Sequence, residues 1–407
     1  MKILVVNAGS SSLKFQLFDV ENNYAVVAKG LCDNVGLETS KLKYTKTGTS
    51  EVELAIAMPN HSVATKTMSD ALTGALSDKG FEGCIASMDE IGAVGHRVVH
   101  GGPYFSQSVV INDEVIEKLR SCVEYAPLHT MPHIMGINGC TEVMPGIPQV
   151  LVFDTAFHST MPAYAKTYAI PYEMTSEGHI YRYGAHGTSH RFVTGEMCKL
   201  LGRTENTKIV TCHLGNGSSI SAVKDGKVID TSMGLTPLAG VEMGTRCGDI
   251  DPAIVPLMME KYDVSVDKIN NFMNKKCGLL GVSGVSSDAR DIEAAIRDGN
   301  ENALLAANIL AYGIKKYIGS YVAALNGVDA VVFTAGMGEN NVELRERVCK
   351  DMDFFGIKLD DAANKATVRK SEPVKLSTDD SKVLVYMIPT NEELMIARDT
   401  EALVKAK

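Results

Sequence analysis

Two turns rich in glycine and serine, about half a chain apart, carry residue types that bind phosphate. The first spans residues 7–12 between two runs of strand character, and Lys14 follows it. The second spans residues 213–219 and also has strand character on both sides. Small residues let backbone N–H groups approach an anion closely, and serine hydroxyls add donors. Either turn could be an ordinary β-hairpin, but their repetition favours a duplicated phosphate-binding fold.

Arg97 and Val99 share a strand-like segment whose alternation places them on one face. A guanidinium group beside a small apolar surface suits a short carboxylic acid. Its carboxylate or acyl phosphate would meet the arginine while its alkyl end meets the valine. The structural alternative is an ion pair of Arg97 on a surface edge strand.

Asp154 closes an apolar strand-like run, and His186 lies in a polar, glycine-rich segment. The Asp154 carboxylate could bind a metal through water, or position or deprotonate a nucleophile, and it could equally be a turn residue. His186 is suited to donate a hydrogen bond to a developing negative charge. The pairs His186/His190 and His129/His133 have H-x-x-x-H spacing but lack the glutamate of the H-E-x-x-H motif, so zinc is not favoured.

Arg246 lies in a loop flanked by glycines, where little bulk prevents it from reaching a transferring phosphoryl group. In the alternative interpretation it pairs with Asp249. Glu392 and Glu393 begin the last predicted helix, where capping and the helix macrodipole favour carboxylates for structural reasons alone.

The composition is that of an ordinary globular chain and limits its partners. The chain has 407 residues, enough for two or three domains, and 45% of them are hydrophobic. Its net charge is −9 and it has no run of Lys and Arg, so the sequence shows no basic patch of the kind that binds nucleic acid. Anionic substrates must therefore be met by locally placed cations and backbone amides.

The nine cysteines are scattered and contain no C-x-x-C pair, which argues against a disulfide framework and a zinc ribbon. We therefore expect a reduced, cytoplasmic protein. No stretch of eighteen apolar residues occurs, and Asn7 interrupts the first apolar run. Neither a membrane span nor a signal peptide is expected.

Strand-like runs alternate with helical patterns, which predicts an α/β fold. Apolar spacing predicts helices over residues 113–126, capped by Asn112, and over 289–298, capped by Asp288. The longest helical pattern, over residues 302–326, predicts a central and well-buried helix.

A short apolar strand over residues 330–334 stops just before Gly336 and Gly338, and a strand that ends at Gly-x-Gly invites a ligand to its carboxyl end. No low-complexity linker divides the chain, so we place the domain boundary near Asp154, between the two phosphate turns. The last helix, predicted over residues 391–406, is expected to return to the first domain.

Taken together, these segments resemble the acetate kinase family, within the superfamily of acetate and sugar kinases, Hsp70 and actin. The matching phrases cover essentially the whole chain. The resemblance implies an α/β, ribonuclease H-like fold of two domains with duplicated βββαβαβα cores and an active-site cleft between them. It places residues 1–154 and the C-terminal helix 390–407 in one domain, and residues 155–389 in a nucleotide-binding domain. It also implies a cytoplasmic homodimer.

The resemblance further implies an enzyme that reversibly transfers the γ-phosphoryl group of ATP to acetate, giving acetyl phosphate and ADP. Mg²⁺, or Mn²⁺ in its place, is the implied cofactor, held by Asn7 and Glu392, and Lys14 would hold nucleotide phosphate. The implied nucleotide site consists of His213, Leu214, Gly215, Asn216, Gly217, Asp288, Ala289, Arg290, Gly336, Met337, Gly338, Glu339 and Asn340.

By the same resemblance, Arg97 would bind the carboxylate, and Asp154 would be the acid/base and metal-organising residue. His186 and Arg246 would stabilise the transition state, and His129 is also implied as catalytic. The alkyl end of the acid would be enclosed by Val99, Leu128, Ala185 and Pro237.

This chain departs from the family at two places. After His129 it has residues 130–133 in place of the usual Asn-Pro continuation, so the conformation of that segment stays open. At position 185 it has alanine where the family usually has phenylalanine, so the acyl pocket is expected to be wider.

Three alternatives stay open. A propionate or butyrate kinase could use the same scaffold. A relative could use pyrophosphate or phosphate in place of ATP, although Gly336 leaves room for adenosine. A nucleotide-driven binding protein of the Hsp70 or actin kind is the third, but nothing in the sequence resembles an appended peptide-binding domain.

Overall fold

The structure is a computed structural model that describes residues 1–406. The side chain of Leu128, an implied contact of the acyl group, lies outside the described residues, as does Lys407, the last residue of the expected C-terminal helix.

The strands, in chain order, are β1 (Lys2–Gly9), β2 (Ser12–Asp19), β3 (Ala25–Asp33), β4 (Lys41–Lys46), β5 (Val52–Ala55), β6 (Ile91–Val98), β7 (Val109–Val110), β8 (Gln149–Phe153), β9 (Lys208–Leu214), β10 (Ser218–Lys224), β11 (Lys227–Thr231), β12 (Ala330–Thr334), β13 (Val374–Lys375) and β14 (Leu384–Met387). The helices are α1 (His61–Thr73), α2 (Asp113–Ser121), α3 (Pro127–Val143), α4 (Ala163–Lys166), α5 (Tyr172–Ser176), α6 (Gly187–Leu201), α7 (Ile254–Tyr262), α8 (Val266–Lys275), α9 (Gly278–Ser283), α10 (Ala289–Arg297), α11 (Glu301–Leu325), α12 (Ala335–Asn340), α13 (Val342–Cys349), α14 (Asp361–Ala366) and α15 (Glu392–Lys405).

The chain divides into two compact units, of which unit 1 comprises Met1–Ala156 and Asn391–Lys407. Its eight-stranded sheet has the order β5-β4-β3-β2-β1-β6-β8-β7. β1, β2 and β3 are antiparallel neighbours, whereas β6 runs parallel to β1 and β8 runs parallel to β6. Leu4 on β1 packs in the cluster of α1 and α3, and Val5 packs in that of α15. Because helices cover both faces, the strand is a continuous apolar run rather than an alternating one.

A glycine on β6 lets α15 approach the sheet closely. A Cβ atom at Gly95 would lie 2.4 Å from Thr400 Oγ1 and 2.7 Å from Ile396 Cγ2, distances that no side chain tolerates. This contact fixes the position of α15, and therefore of the first turn of α15, beside β6.

Unit 2 comprises Phe157–Thr390 and contains a six-stranded sheet of order β11-β10-β9-β12-β14-β13. β9, β10 and β11 are antiparallel neighbours, β12 is parallel to β9, and β14 is parallel to β12. α11 packs on one face of this sheet and α6 on the other. Three antiparallel strands followed by two parallel ones is also the pattern of unit 1, so the predicted duplicated α/β fold is confirmed.

Both predicted helix caps are present. Asn112 Oδ1 accepts a hydrogen bond from Val115 N–H at 2.8 Å, and Asp288 Oδ1 accepts one from Arg290 N–H at 2.8 Å. α2 ends at Ser121, earlier than predicted, because the next residues tighten into a short 3₁₀ turn.

The segment at residues 130–133 is helical, and α3 continues through it even though Pro132 lies inside the helix. The Thr130 hydroxyl donates to Ala126 O at 3.1 Å and supports the first turn.

α11 is the longest helix described and covers the predicted range almost completely. It buries one stripe against the sheet, whereas Leu305 and Tyr312 on its other side are exposed, so its burial is confined to the face toward the sheet. Within residues 1–406, no helix combines the length and apolar character that crossing a bilayer requires.

Candidate active site

In unit 1, the ends of two neighbouring parallel strands bring Arg97 and Asp154 together. Arg97 lies on β6, and Asp154 follows β8, where its N–H donates to Val98 O at 2.8 Å. Arg97 Nη2 donates to Asp154 Oδ2 at 2.6 Å, and Nε donates to Oδ1 at 3.2 Å. Glu392 Oε2, in the first turn of α15, lies 3.6 Å from Arg97 Nε. Two carboxylates therefore share one guanidinium group.

Burial and mutual charge shift the pKa values of this cluster. Burial raises the pKa of Glu392 above its usual range, a rise that Arg97 opposes and Asp154 reinforces. Burial alone would lower the pKa of Arg97, but the Asp154 and Glu392 carboxylates outweigh it and raise that pKa. Two carboxylates facing one cation form a set of oxygen donors with a surplus of negative charge, which suits a hard divalent cation.

Asn7 and Lys14 stand opposite each other on β1 and β2. Lys14 lies close enough to Glu392 to lower its pKa, so it belongs to the electrostatic surroundings of the same cluster. Sequence reasoning assigned these residues to magnesium and phosphate, and the structure brings Lys14 into the field of Glu392.

A buried histidine fixes the backbone beside Arg97. His133 Nε2 accepts from Val99 N–H at 3.2 Å, and Nδ1 donates to Ala8 O at 2.8 Å. Burial, with His129 and Arg97 nearby, lowers the pKa of His133 to about 3, so the ring is neutral. β6 ends at Val98, so this histidine, rather than strand alternation, holds the Val99 backbone. Sequence reasoning missed this role because it considered His133 only as a zinc ligand, through its spacing from His129.

In unit 2, two predicted transition-state groups converge on the second phosphate turn. A Cβ atom at Gly217 would lie 2.9 Å from His186 Nε2 and 3.3 Å from Arg246 Nη1. Both side chains therefore point at the place where the turn leaves room, and a larger residue than glycine would displace at least the His186 ring. The His186 ring also stacks on the His213 ring, with centroids 4.1 Å apart and planes 17° apart.

Arg246 does not form the ion pair with Asp249 that the alternative interpretation proposed. Arg246 Nη1 donates to Pro237 O at 3.2 Å, and burial lowers the pKa of the guanidinium. Asp249 accepts instead from Gly240 N–H at 2.8 Å and from the Tyr317 hydroxyl. Within the described residues, no carboxylate lies at ion-pair distance from Arg246, so its charge is available to an anion.

A chain of hydrogen bonds through Ser189 and Thr390 holds the ring of His213 in place. The Ser189 hydroxyl bonds His213 Nδ1 at 2.7 Å and the Thr390 hydroxyl at 2.8 Å. Glu339 Oε1 accepts from Thr390 N–H at 3.1 Å and from Ala335 N–H at 2.9 Å. The carboxylate of Glu339 thus faces backbone groups, although sequence reasoning assigned it to the nucleotide.

A cavity of about 510 Å³ opens in unit 2, within the size range of small-molecule sites. Among its lining residues are eight that the resemblance implied: Gly215, Asn216, Asp288, Ala289, Arg290, Gly336, Met337 and Asn340. A Cβ atom at Gly336 would meet nothing within 4 Å, so this glycine borders open space. The implied residues that do not line the cavity are His213, Leu214, Gly217, Gly338 and Glu339, together with Lys14 of unit 1.

The cavity has further lining residues that sequence reasoning missed: Gly244, Ser287, Glu293, Arg297, Asn341, Glu343, Val368 and Arg369. Glu293 and Arg297 follow Ala289 at successive turns of α10, so helical periodicity could have found them. Val368 and Arg369 lie in irregular backbone, and no sequence signal marks them.

Of the implied acyl-pocket residues, Ala185 packs in a small buried cluster with Met233 and Met243. These methionines are the buried apolar neighbours of Ala185 in that cluster. Methionine adapts its shape readily, so the room left by Ala185 depends on their rotamers. Pro237 contributes its carbonyl oxygen to Arg246 in the same unit.

Fold and site together define a class of protein, namely a phosphotransferase built on two α/β units, with a phosphate turn, converging cationic and imidazole groups and a nucleoside-sized cavity. The profile of the acetokinase family matches residues 2–398. The chain belongs to the acetokinase family.

Individual relatives match over their full lengths. The chain is 53% identical to the acetate kinase of Acetivibrio thermocellus, with 100% of both chains covered, and 52% identical to that of Methanosarcina mazei, with 100% and 98% covered. The crystal structure of Porphyromonas gingivalis acetate kinase matches with a TM-score of 0.93 at 46% identity, covering 99% of both chains. A propionate kinase structure from Francisella tularensis matches with a TM-score of 0.90 at 40% identity, again covering 99% of both.

Proposed function

We propose that this protein reversibly transfers the γ-phosphoryl group of ATP to acetate, giving acetyl phosphate and ADP. The observation that carries the proposal is the convergence of His186 and Arg246 on Gly217, in the turn whose neighbours Gly215 and Asn216 line the cavity. Phosphoryl transfer needs positioning and neutralisation of charge more than covalent help from the protein, and these groups supply both. The names of the full-length relatives support acetate as the acid.

The reaction needs no general base. Acetate is ionised near neutral pH, so its oxygen attacks the γ-phosphorus without losing a proton, and the bond from that phosphorus to the ADP oxygen breaks. We therefore assign Asp154 to holding Arg97 and organising the cation rather than to proton transfer. Arg97 would bind the acetate carboxylate, and Arg246 with His186 would donate to the transferring phosphoryl oxygens.

We assign Asn7 and Glu392 to Mg²⁺, or to Mn²⁺ in its place, because the oxygen donors and the surplus of negative charge around Glu392 fit a hard cation. When bound, the ion would neutralise charge on the nucleotide phosphates. Lys14 would add a positive charge for a phosphate group on the same unit.

The donor and the metal are tested together. Acetyl phosphate made by the purified protein is trapped as the hydroxamate, with ATP, pyrophosphate or phosphate as donor, and with or without Mg²⁺. Product that requires ATP and Mg²⁺ supports the proposal. Product with pyrophosphate but not with ATP would overturn the assignment of the cavity to a nucleotide.

A second acid substrate is proposed on the basis of Ala185. Because each buried methylene contributes about 0.8 kcal/mol, we expect a kcat/KM for propionate within about tenfold of that for acetate. Ala185→Phe should shift the preference back toward acetate. Rejection of propionate by about a hundredfold would show that Met233 and Met243 refill the space.

We also propose a cytoplasmic homodimer. Unit 2 exposes apolar side chains that a second copy could cover, among them Tyr164, Tyr172 and Tyr262. All nine cysteines are free thiols, which agrees with a reducing compartment. Light scattering on the full chain measures its mass, and a monomer mass at working concentration would contradict the dimer.

A further inference from the structure

Arg345, on α13, is the largest side chain that is completely buried, with 0% exposure. No carboxylate lies at ion-pair distance from it in the part of the chain that the structure describes. Its guanidinium donates to Gly338 O at 2.9 Å, to Asn364 O at 3.1 Å and Asn364 Oδ1 at 2.7 Å, and to Thr367 O at 2.7 Å. Burial lowers its pKa to about 10, which still leaves the group charged at neutral pH.

These acceptors belong to two segments that form different walls of the cavity. Gly338 lies in α12, whose Gly336 and Asn340 line one wall. Thr367 is followed directly by Val368 and Arg369, which line another. Arg345 therefore reaches both walls from behind without touching the cavity, and it is absent from the lining.

A second bridge crosses between the same walls. Asn340 Oδ1 accepts from Arg369 N–H at 2.9 Å, and Asn340 Nδ2 donates to Gly336 O at 3.0 Å. Arg369 has a φ of 51°, in the left-handed region that bulky residues avoid. Neighbouring structure must hold this backbone in place, and the Arg345 bond to Thr367 O acts two residues before it.

We propose that Arg345 is a positioning residue that sets the spacing between these two walls and thereby the affinity for the nucleotide. Arginine suits the task because its planar fork of donors serves several carbonyls at once, whereas lysine offers a single point charge. The inference rests on the proposed assignment of the cavity to ATP and ADP.

The test compares Arg345→Gln with Val348→Ala. Val348 lies on the same helix, is completely buried and has only an apolar side chain, so its truncation loosens the same packing without removing the bonds to Gly338 and Thr367. We expect Arg345→Gln to raise the KM for ATP and the Kd for ADP by about tenfold, the loss that follows when a supporting hydrogen bond is removed from a binding group. The KM for acetate should change little. Val348→Ala should lower the melting temperature and leave ADP binding unchanged.

Arg345→Lys keeps the charge and should recover part of the ADP affinity, and it replaces Arg345→Gln if the latter does not fold. All binding is measured by calorimetry below the melting temperature of each variant. Unchanged ADP affinity in the Arg345 variants, or an equal loss in Val348→Ala, would overturn the positioning role. Failure of the wild-type protein to bind ADP would instead refute the proposed function, so the two outcomes are distinguishable.

Discussion

The two units share a strand order but differ in the charged groups at the ends of their strands. In unit 1, β6 and the end of β8 present Arg97 and Asp154, and α15 adds Glu392, so three ionisable groups meet in a largely buried place. In unit 2, the corresponding strands β12 and β14 end in Thr334 and Met387, and hydroxyl groups and imidazoles replace the ion pairs. A duplicated backbone therefore supports two kinds of site, because the chemistry lies in the residues at the strand ends rather than in the sheet.

Because of this difference, substitutions in the two units should reduce activity in different ways. Removing one partner of a buried ion cluster leaves another charge uncompensated, so substitutions in unit 1 should affect several groups at once. The hydroxyl and imidazole groups of unit 2 are linked by hydrogen bonds rather than by ion pairs, so substitutions there should act mainly on the step that they serve.

Arg97→Ala is expected to give the largest effect. It removes the proposed carboxylate-binding group and leaves Asp154 buried beside Glu392 without their shared cation. We expect kcat/KM for acetate to fall by about a thousandfold or more, with a higher KM for acetate. Steady-state kinetics in both substrates measure the loss, and Arg97→Lys is the control that keeps charge without the fork. Near wild-type kinetics would remove Arg97 from the site.

Arg246→Ala and His186→Ala test the unit 2 side of the comparison. Each should lower kcat by about a hundredfold or more with little change in KM, since their contacts strengthen in the transition state. Because both groups converge on Gly217, the double variant should lose less than the product of the two single losses. Weaker ATP binding with unchanged kcat would assign them to the ground state instead.

Glu392→Ala tests whether the surplus negative charge of unit 1 serves a cation. The concentration of Mg²⁺ that gives half-maximal activity should rise by about tenfold or more. Glu393→Ala is the matched control, because Glu393 shares the first turn of α15 and its interaction with the helix dipole. A lower melting temperature with an unchanged Mg²⁺ titration would reduce Glu392 to a helix-end residue.

Glu242 is expected to affect stability and to have the smallest effect on catalysis, and it sharpens the contrast within unit 2. It is buried, neither oxygen has a hydrogen-bond partner in the described residues, and burial raises its pKa from 4.5 to about 8. The folded state therefore holds this proton more tightly than the unfolded state. The associated stability is fully present below pH 4.5 and is lost progressively as the pH rises to about 8.

Glu242→Gln should therefore unfold at higher denaturant concentration than the wild type at pH 9, with little difference at pH 5. The upper bound on the gain is about 1.4 kcal/mol for each pKa unit of the shift. Urea titrations at the two pH values measure it. The same dependence on pH in both proteins would show that the Glu242 carboxylate is already solvated or paired.

Local signals explain what the sequence predicts well. The two phosphate turns and the alternating elements predict the duplicated fold, since turn residues and apolar periodicity act over a few neighbouring positions. The caps Asn112 and Asp288 are predictable for the same reason. Eight of the implied nucleotide residues line the cavity because they lie in motifs at strand ends and at the start of α10.

Contacts between distant segments explain what the sequence does not reveal. Val368 and Arg369 form a wall through irregular backbone that has no periodic pattern. Arg345 carries a charge that usually indicates a surface position, and its burial depends on carbonyl groups from two other segments. His133 lies on α3 and accepts a hydrogen bond from the backbone N–H of Val99, just after β6. The spacing of the histidines in the sequence does not predict this contact.

The close approach of α15 to Gly95 has a consequence for the order in which the chain can become active during synthesis. Strand β6 leaves the ribosome early, but the helix that seats against it, and that carries Glu392, follows only after all of unit 2. Until then the Arg97–Asp154 pair lacks its second carboxylate, and the apolar face of the sheet that α15 covers is left without its helix. A nascent chain that stops before α15 would therefore expose an aggregation-prone surface together with an incomplete charge cluster, which makes completion of the chain a condition for both folding and chemistry in unit 1.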